Sequence, residues 1–140
     1  MRASPEHRPS IAGGVRAGRI AAALGARVAI CEDLKWGGTC VNVGCVPKKL
    51  FVYGSHFAEL AALSRSYGWD IEVKGHDWAQ MIATKNAEIE RLNGIYGRML
   101  GNAGCTVIDG HGTLVDAHTV RIGDTHHTAE RILIATGGWP

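Results

Sequence analysis

The hydrophobic pattern changes its period several times along the chain. Residues 1–12, MRASPEHRPSIA, hold two prolines and mostly polar side chains, and read as an irregular segment. From Val15 to Leu24 the run VRAGRIAAAL is alanine-rich and helical, with Gly25 placed to stop it. Ala26 to Cys31, ARVAIC, is a short apolar run suited to a buried parallel strand. Trp36 to Lys49 is irregular and glycine-rich, and leads into a helix with Pro47 in its first turn. Leu50, Tyr53, Phe57, Leu60, Ala61 and Leu63 then recur at helical spacing.

A second long helix is expected to start at Asp77, with Gln80 three residues on as a capping-box variant, and to end at Gly101. Its stripe of Trp78, Met81, Ile82, Ile89, Leu92, Tyr96 and Met99 is expected to be core. The remainder is β-rich: CTVI from Cys105, GTLV from Gly112, TVRI from Thr119 and RILIAT from Arg131. Gly123 and Asp124 suit a turn between antiparallel strands. The chain stops at ATGGWP just after that last apolar run, which suggests truncation.

Composition narrows the function. With 140 residues, 46% hydrophobic and 20% charged, the chain suits one globular domain. A net charge of +2, scattered along the chain, gives no basis for a nucleic-acid partner or a membrane surface. No apolar run approaches the roughly 20 residues of a membrane span. The first 19 residues carry four arginines, faintly like a transit peptide, but lack the apolar core of a secretion signal. A cytoplasmic location is therefore expected.

The candidate chemistry lies in Cys40 and Cys45. Five positions apart on one regular helix, they would point about 140° from each other. A disulfide needs Cα atoms within about 7 Å, so one cysteine must lie outside the helix. Gly44 and Pro47 permit this and would put Cys45 at a helix N-terminus, where N–H groups and the dipole favour a thiolate. Lys48 and Lys49 add positive charge. Three readings stay open on spacing alone: a redox pair, half of a zinc site completed by His56 or Cys31, and two ordinary buried thiols. Cys31 and Cys105 lie in apolar strands and read as inert thiols. His56, His76, His118, His126 and His127 read as surface residues.

The thirteen residues GGTCVNVGCVPKK resemble the redox-active motif of the pyridine nucleotide-disulfide oxidoreductases, nearest the glutathione reductase branch. The resemblance continues through KKLFVYGSHFAE and EIERLNGIYGRML to RILIATGGWP, so it covers about residues 13–140. It implies an α/β fold, a partial Rossmann-like FAD-binding domain with a helical excursion and a β-meander. It implies FAD as cofactor, NADPH as electron donor in the full-length parent, glutathione disulfide as substrate, and a homodimer. Cys40 and Cys45 match the catalytic pair: the residue matching Cys45 lies against the flavin, and the one matching Cys40 attacks the substrate. Lys48 matches a lysine beside the flavin ring. Trypanothione reductases share the Pro47-Lys48-Lys49 ending, whereas mercuric reductases and lipoamide dehydrogenases usually read PSK there.

Further cofactor contacts carry over singly. Gly14 matches the third glycine of the dinucleotide fingerprint, and Gly13 is its neighbour. Glu32 matches the acid on the adenosine ribose, at an offset near the expected ~20 residues. Gly38 and Thr39 match residues near the pyrophosphate and flavin. Gly112 matches a backbone contact to adenine, and Thr136 and Gly137 match a loop over the cofactor. The first two fingerprint glycines are replaced by Pro9 and Ile11, and MRASPEHR does not suit a central strand. The expected organisation is therefore an irregular segment over 1–12 and a partial FAD-binding domain over 13–140. The family's NADPH and dimerisation domains are expected to be absent. The chain alone is expected to bind FAD poorly and not to turn over.

Overall fold

A computed structural model describes residues 11–137. The order is α1 (Ile11–Ala23), β1 (Ala29–Glu32), α2 (Gly38–Asn42), α3 (Cys45–Leu63), a 3-10 turn (Ser64–Tyr67) and α4 (Trp78–Asn102). Four strands follow: β2 (Thr106–Asp109), β3 (Gly112–Leu114), β4 (Thr119–Ile122) and β5 (Thr125–Thr128). The class is α/β, as expected. β1 and β2 pair in parallel, Ala29 opposite Thr106 through to Glu32 opposite Asp109. The helices α2 to α4 form the excursion between them. β3, β4 and β5 make an antiparallel meander.

Both long helices around β1 and β2 end in the same way. At the end of α1, Gly25 (φ 92°) donates to Ala22 at 2.9 Å and Ala26 donates to Ala21 at 3.0 Å. At the end of α4, Gly104 (φ 84°) donates to Gly101 at 2.9 Å and Cys105 donates to Leu100 at 3.1 Å. These crossed bonds satisfy the last helical carbonyls, and the left-handed residue between them must be cheap in glycine. The chain thereby reverses straight into a strand each time. Val15, Leu100 and Cys105 meet at that junction, with Val28, Ile30, Trp36, Tyr96 and Val107 packed around them.

Several boundaries differ from the sequence expectation. α1 takes in Ile11 and Ala12 and so begins four residues before Val15, while residues 1–10, including Pro9, lie outside the described residues. β1 starts at Ala29 rather than Ala26, because the crossed bonds after α1 consume residues 24–26. α4 starts at the Asp77 cap, whose side chain accepts from the Gln80 N–H at 3.0 Å, but it passes Gly101 and stops at Gly104. The positive φ decides the stop, and Gly101 has ordinary helical neighbours. The apolar run from Arg131 joins no ladder over residues 131–137, and Leu133 is 68% exposed. An apolar run becomes a strand only where another strand offers it hydrogen bonds.

The helical excursion also buries less than its pattern suggests. On α4, Ile89 and Leu100 are buried, but Trp78 is 60% exposed. Trp78 stacks on Phe51 of α3 with ring centroids 5.5 Å apart. Tyr53, Phe57, Leu60 and Leu63 of α3 are all exposed. Periodicity identifies the apolar face correctly, but not whether something covers it.

Candidate functional site

The segment between β1 and α3 is built around glycines. Gly37 (φ 115°) and Gly38 (φ 68°) are buried and left-handed, and they open the five-residue helix α2 that carries Cys40. A Cβ on Gly37 would lie 2.8 Å from the Val41 Cβ, so this turn closes only on glycine. Gly44 caps α3, and a Cβ there would approach the Thr39 carbonyl oxygen at 3.0 Å and the Cys40 Cα at 3.2 Å. The chain therefore doubles back tightly between Cys40 and Cys45. Cys45 is the first residue of α3, and Pro47 is buried in its first turn. The expected arrangement thus holds, with the refinement that Cys40 has a short helix of its own.

All four cysteines are free thiols. The Cys40 thiol is pushed up from its ordinary value, first by a hydrogen bond with the Cys45 thiol, then by burial, while the Lys48 charge acts in the opposite direction. The Gly44 turn thus sets the two cysteines close together. Burial pushes the Cys31 and Cys105 thiols up as well, which suits inert positions.

Side chains from distant elements fix this turn. Asn93 of α4 donates to the Trp36 carbonyl at 2.6 Å and to Asn42 Oδ1 at 2.8 Å. Asn42 donates to the Gly38 carbonyl at 2.9 Å and to the Lys35 carbonyl at 3.2 Å. The Trp36 indole donates to Asp109 at the end of β2, at 2.9 Å. The sequence reading missed Gly37, Asn42, Asn93, Trp36 and Asp109. One signal was present: Asn93 interrupts the apolar stripe beside Leu92, and an inward-facing amide needs partners.

A second group surrounds the end of β1. Glu32 is 3% exposed. Its Oε1 accepts the Leu34 N–H at 2.9 Å, whereas its Oε2 is buried without a partner. Burial pushes the Glu32 carboxyl up, partly offset by the Leu34 N–H. Gly112 packs against Cys31, and a Cβ there would fall 2.8 Å from Cys31 Sγ. The neighbouring Asp33 pairs with His111 Nδ1 at 2.8 Å. Neither was anticipated.

A third group lies at the start of α1. Gly13 has open space where a side chain would be, and a Cβ on Gly14 would meet the Ala135 side chain at 3.3 Å. The structure therefore brings Gly14 against the segment that continues into Thr136 and Gly137 (φ 69°). α1 packs on both α2 and β1. Among the described residues, no three His, Cys, Asp or Glu side chains gather as metal ligands, and no helix is long and apolar enough to cross a membrane. His56, His76, His118 and His126 are exposed and His127 is half-buried.

Comparison with known proteins agrees with this geometry. Residues 11–140 match the family model described as pyridine nucleotide-disulphide oxidoreductase. A chloroplastic/mitochondrial glutathione reductase of Pisum sativum is 49% identical over 91% of this chain and 25% of its own length. A glutathione reductase of Nostoc is 47% identical over 91% and 28%. A protein named thioredoxin reductase SEP1, from Emiliania huxleyi, is 36% identical over 91% and 29%. The chain thus spans about a quarter of the length of the curated relatives it matches. Among solved structures, the HOCl-induced flavoprotein disulfide reductase RclA of Escherichia coli, in its Cu(II) complex, superposes with a TM-score of 0.64. It is 27% identical, over 84% of this chain and 24% of its own. The fold is that of a partial Rossmann-like FAD-binding domain with a helical excursion and a β-meander. With the family model spanning nearly the whole chain, this protein belongs to the pyridine nucleotide-disulphide oxidoreductases.

Proposed function

We propose that residues 13–140 form the disulfide-bearing part of the FAD-binding domain of an NADPH-dependent glutathione-disulfide reductase. The observation that carries this reading is the glycine-closed turn that sets Cys40 beside Cys45 at the start of α3. Glutathione is favoured as substrate because the relatives named glutathione reductase are 44–49% identical, against 36% for the relative named thioredoxin reductase. In the full-length protein, NADPH would be the electron donor and a homodimer the working unit.

The residues fit FAD. The unpartnered, buried Oε2 of Glu32 suits a ribose hydroxyl donor. The open space at Gly13, at the start of a 13-residue helix, suits a pyrophosphate. Gly14, Gly38, Thr39, Lys48, Gly112, Thr136 and Gly137 would complete the binding surface. Bound FAD would supply the two electrons that open the Cys40–Cys45 disulfide. The Cys40 sulfur then attacks one sulfur of glutathione disulfide, forms a mixed disulfide and releases one glutathione. The Cys45 sulfur attacks Cys40 within that mixed disulfide, releases the second glutathione and restores the pair.

The test uses the reduced chain and glutathione disulfide. Peptide mapping should find a Cys40–Cys45 bridge, reversed by dithiothreitol and prevented by Cys40→Ser or Cys45→Ser, while Cys31→Ser and Cys105→Ser leave it intact. A chain in which these two thiols stay unbridged, or bridge elsewhere, overturns the reading.

A further inference from the structure

We infer that Asn93 and Asn42 act as one positioning clamp that sets the redox equilibrium of the Cys40–Cys45 pair, an inference that rests on those cysteines being redox-active. α2 has five residues, too few to hold a helix by its own hydrogen bonds. Something else must fix Cys40 relative to Cys45. α3, which begins with Cys45, packs along α4, where a Cβ on Gly54 would lie 3.1 Å from Met81 Cε. α2 also meets α4, and there the contact includes the two asparagines. α4 is thus the common frame for both cysteines.

The bonds form an unbroken chain. Asn93 spends both amide protons, one on the Trp36 carbonyl (2.6 Å) and one on Asn42 (2.8 Å). Asn42 spends both of its own on the Lys35 and Gly38 carbonyls (3.2 and 2.9 Å). Three of these bonds grip the backbone on either side of the Gly37 turn, the fourth ties the two asparagines together, and Asn42 lies two residues after Cys40. The two asparagines and the groups they bind are uncharged amides and carbonyls, so the clamp acts through geometry.

A clamp of this kind acts on one measurable reaction. Cys40 and Cys45 together give up two electrons and two protons and form an S–S bond. The S–S bond of glutathione disulfide breaks and takes them up, leaving two glutathione thiols. The equilibrium constant reports how often the two protein sulfurs meet, and a looser Cys40 lowers it.

The experiment equilibrates the full chain in glutathione redox buffers and counts bridged and free thiols by alkylation and mass. Asn93→Ala, and the nearly isosteric Asn93→Asp in case the alanine variant unfolds, should lower the constant about tenfold, which is ~30 mV for a two-electron couple. Circular dichroism should remain that of the parent. Asn42→Ala combined with Asn93→Ala should shift the constant no further than the larger single change, because both break one clamp. Arg91→Ala, on the exposed face of α4, should leave it unchanged. A folded Asn93→Asp chain within twofold of the parent overturns the clamp, as do single shifts that add. A parent chain that forms no bridge overturns the redox reading itself, and the clamp with it.

Discussion

The redox turn and the start of α1 are both parts of the site this fold would build, yet they are held in opposite ways. Around Cys40 and Cys45, space is filled and bonds are closed. Gly37 and Gly44 have no room for a methyl group, and Asn93, Trp36 and Asp109 fix the loop from two other elements. At Gly13 space is open, and the buried Glu32 has a carboxylate oxygen without a partner. Leu133 and Ile134, in the segment that continues to Gly137, are exposed. The first region is complete in its own contacts, whereas the second has the form of a surface awaiting one. Tight packing suits a pair of sulfurs that must meet, and open space beside a helix start suits a bulky anionic group.

The largest effect that could break this comparison is at Gly37. Gly37→Ala places a side chain in the left-handed region and presses it on Val41. Backbone strain of about 1–2 kcal/mol and overpacking of similar size should lower unfolding free energy by about 3 kcal/mol. Denaturant titration measures this, and a loss under about 1 kcal/mol would show the turn to be more yielding than its contacts indicate.

Gly13→Ala should do the reverse to stability. Gly13 lies within α1 with nothing near its missing Cβ, and alanine there should stabilise by roughly 0.5–1 kcal/mol. The same methyl group should weaken FAD binding, read by flavin fluorescence. Destabilisation by Gly13→Ala would mean that this glycine is needed for the fold and not for a ligand.

The smallest effect belongs to Glu32 and shows as a pH dependence. Burial raises its folded pKa above the unfolded value, so the folded chain holds the proton to higher pH than the unfolded chain does. By linkage its stabilising contribution is fully present below about 4.5 and is lost as pH rises through the raised folded value. Glu32→Gln removes this dependence. The thermal midpoint of Glu32→Gln minus that of the parent should therefore grow between pH 4.5 and 7, and FAD binding should weaken. A difference independent of pH would contradict a desolvated carboxylate at this position.

Much of the arrangement was legible because it is encoded by neighbours. Asp77 and Gln80 mark the start of α4 with a local hydrogen bond. Gly25 ends α1 through bonds within its own turn. Gly123 has φ 57° and stands first in the two-residue turn joining β4 and β5, with Asp124 at an ordinary φ. The Cys40–Cys45 separation, read with Gly44 and Pro47, was enough to put one cysteine at a helix start and the other outside it. The end of α4 was misread because Gly101 and Gly104 are equivalent in sequence, and only the backbone angle distinguishes them.

What sequence alone determined here is therefore the set of local events: helix starts and stops, the hairpin turn, the apolar periods, and a cysteine motif specific enough to name the family. What only the tertiary structure decided depends on residues far apart in the chain. Whether the apolar run from Arg131 joins a sheet depends on a partner strand, and Trp78 or Phe57 is core only if another surface covers it. The grip of Asn93 on Trp36 spans 57 positions, and the Asp33–His111 pair spans 78. Such contacts leave little periodic trace, because each requires only one suitable side chain at each end, brought together by the packing of everything between them.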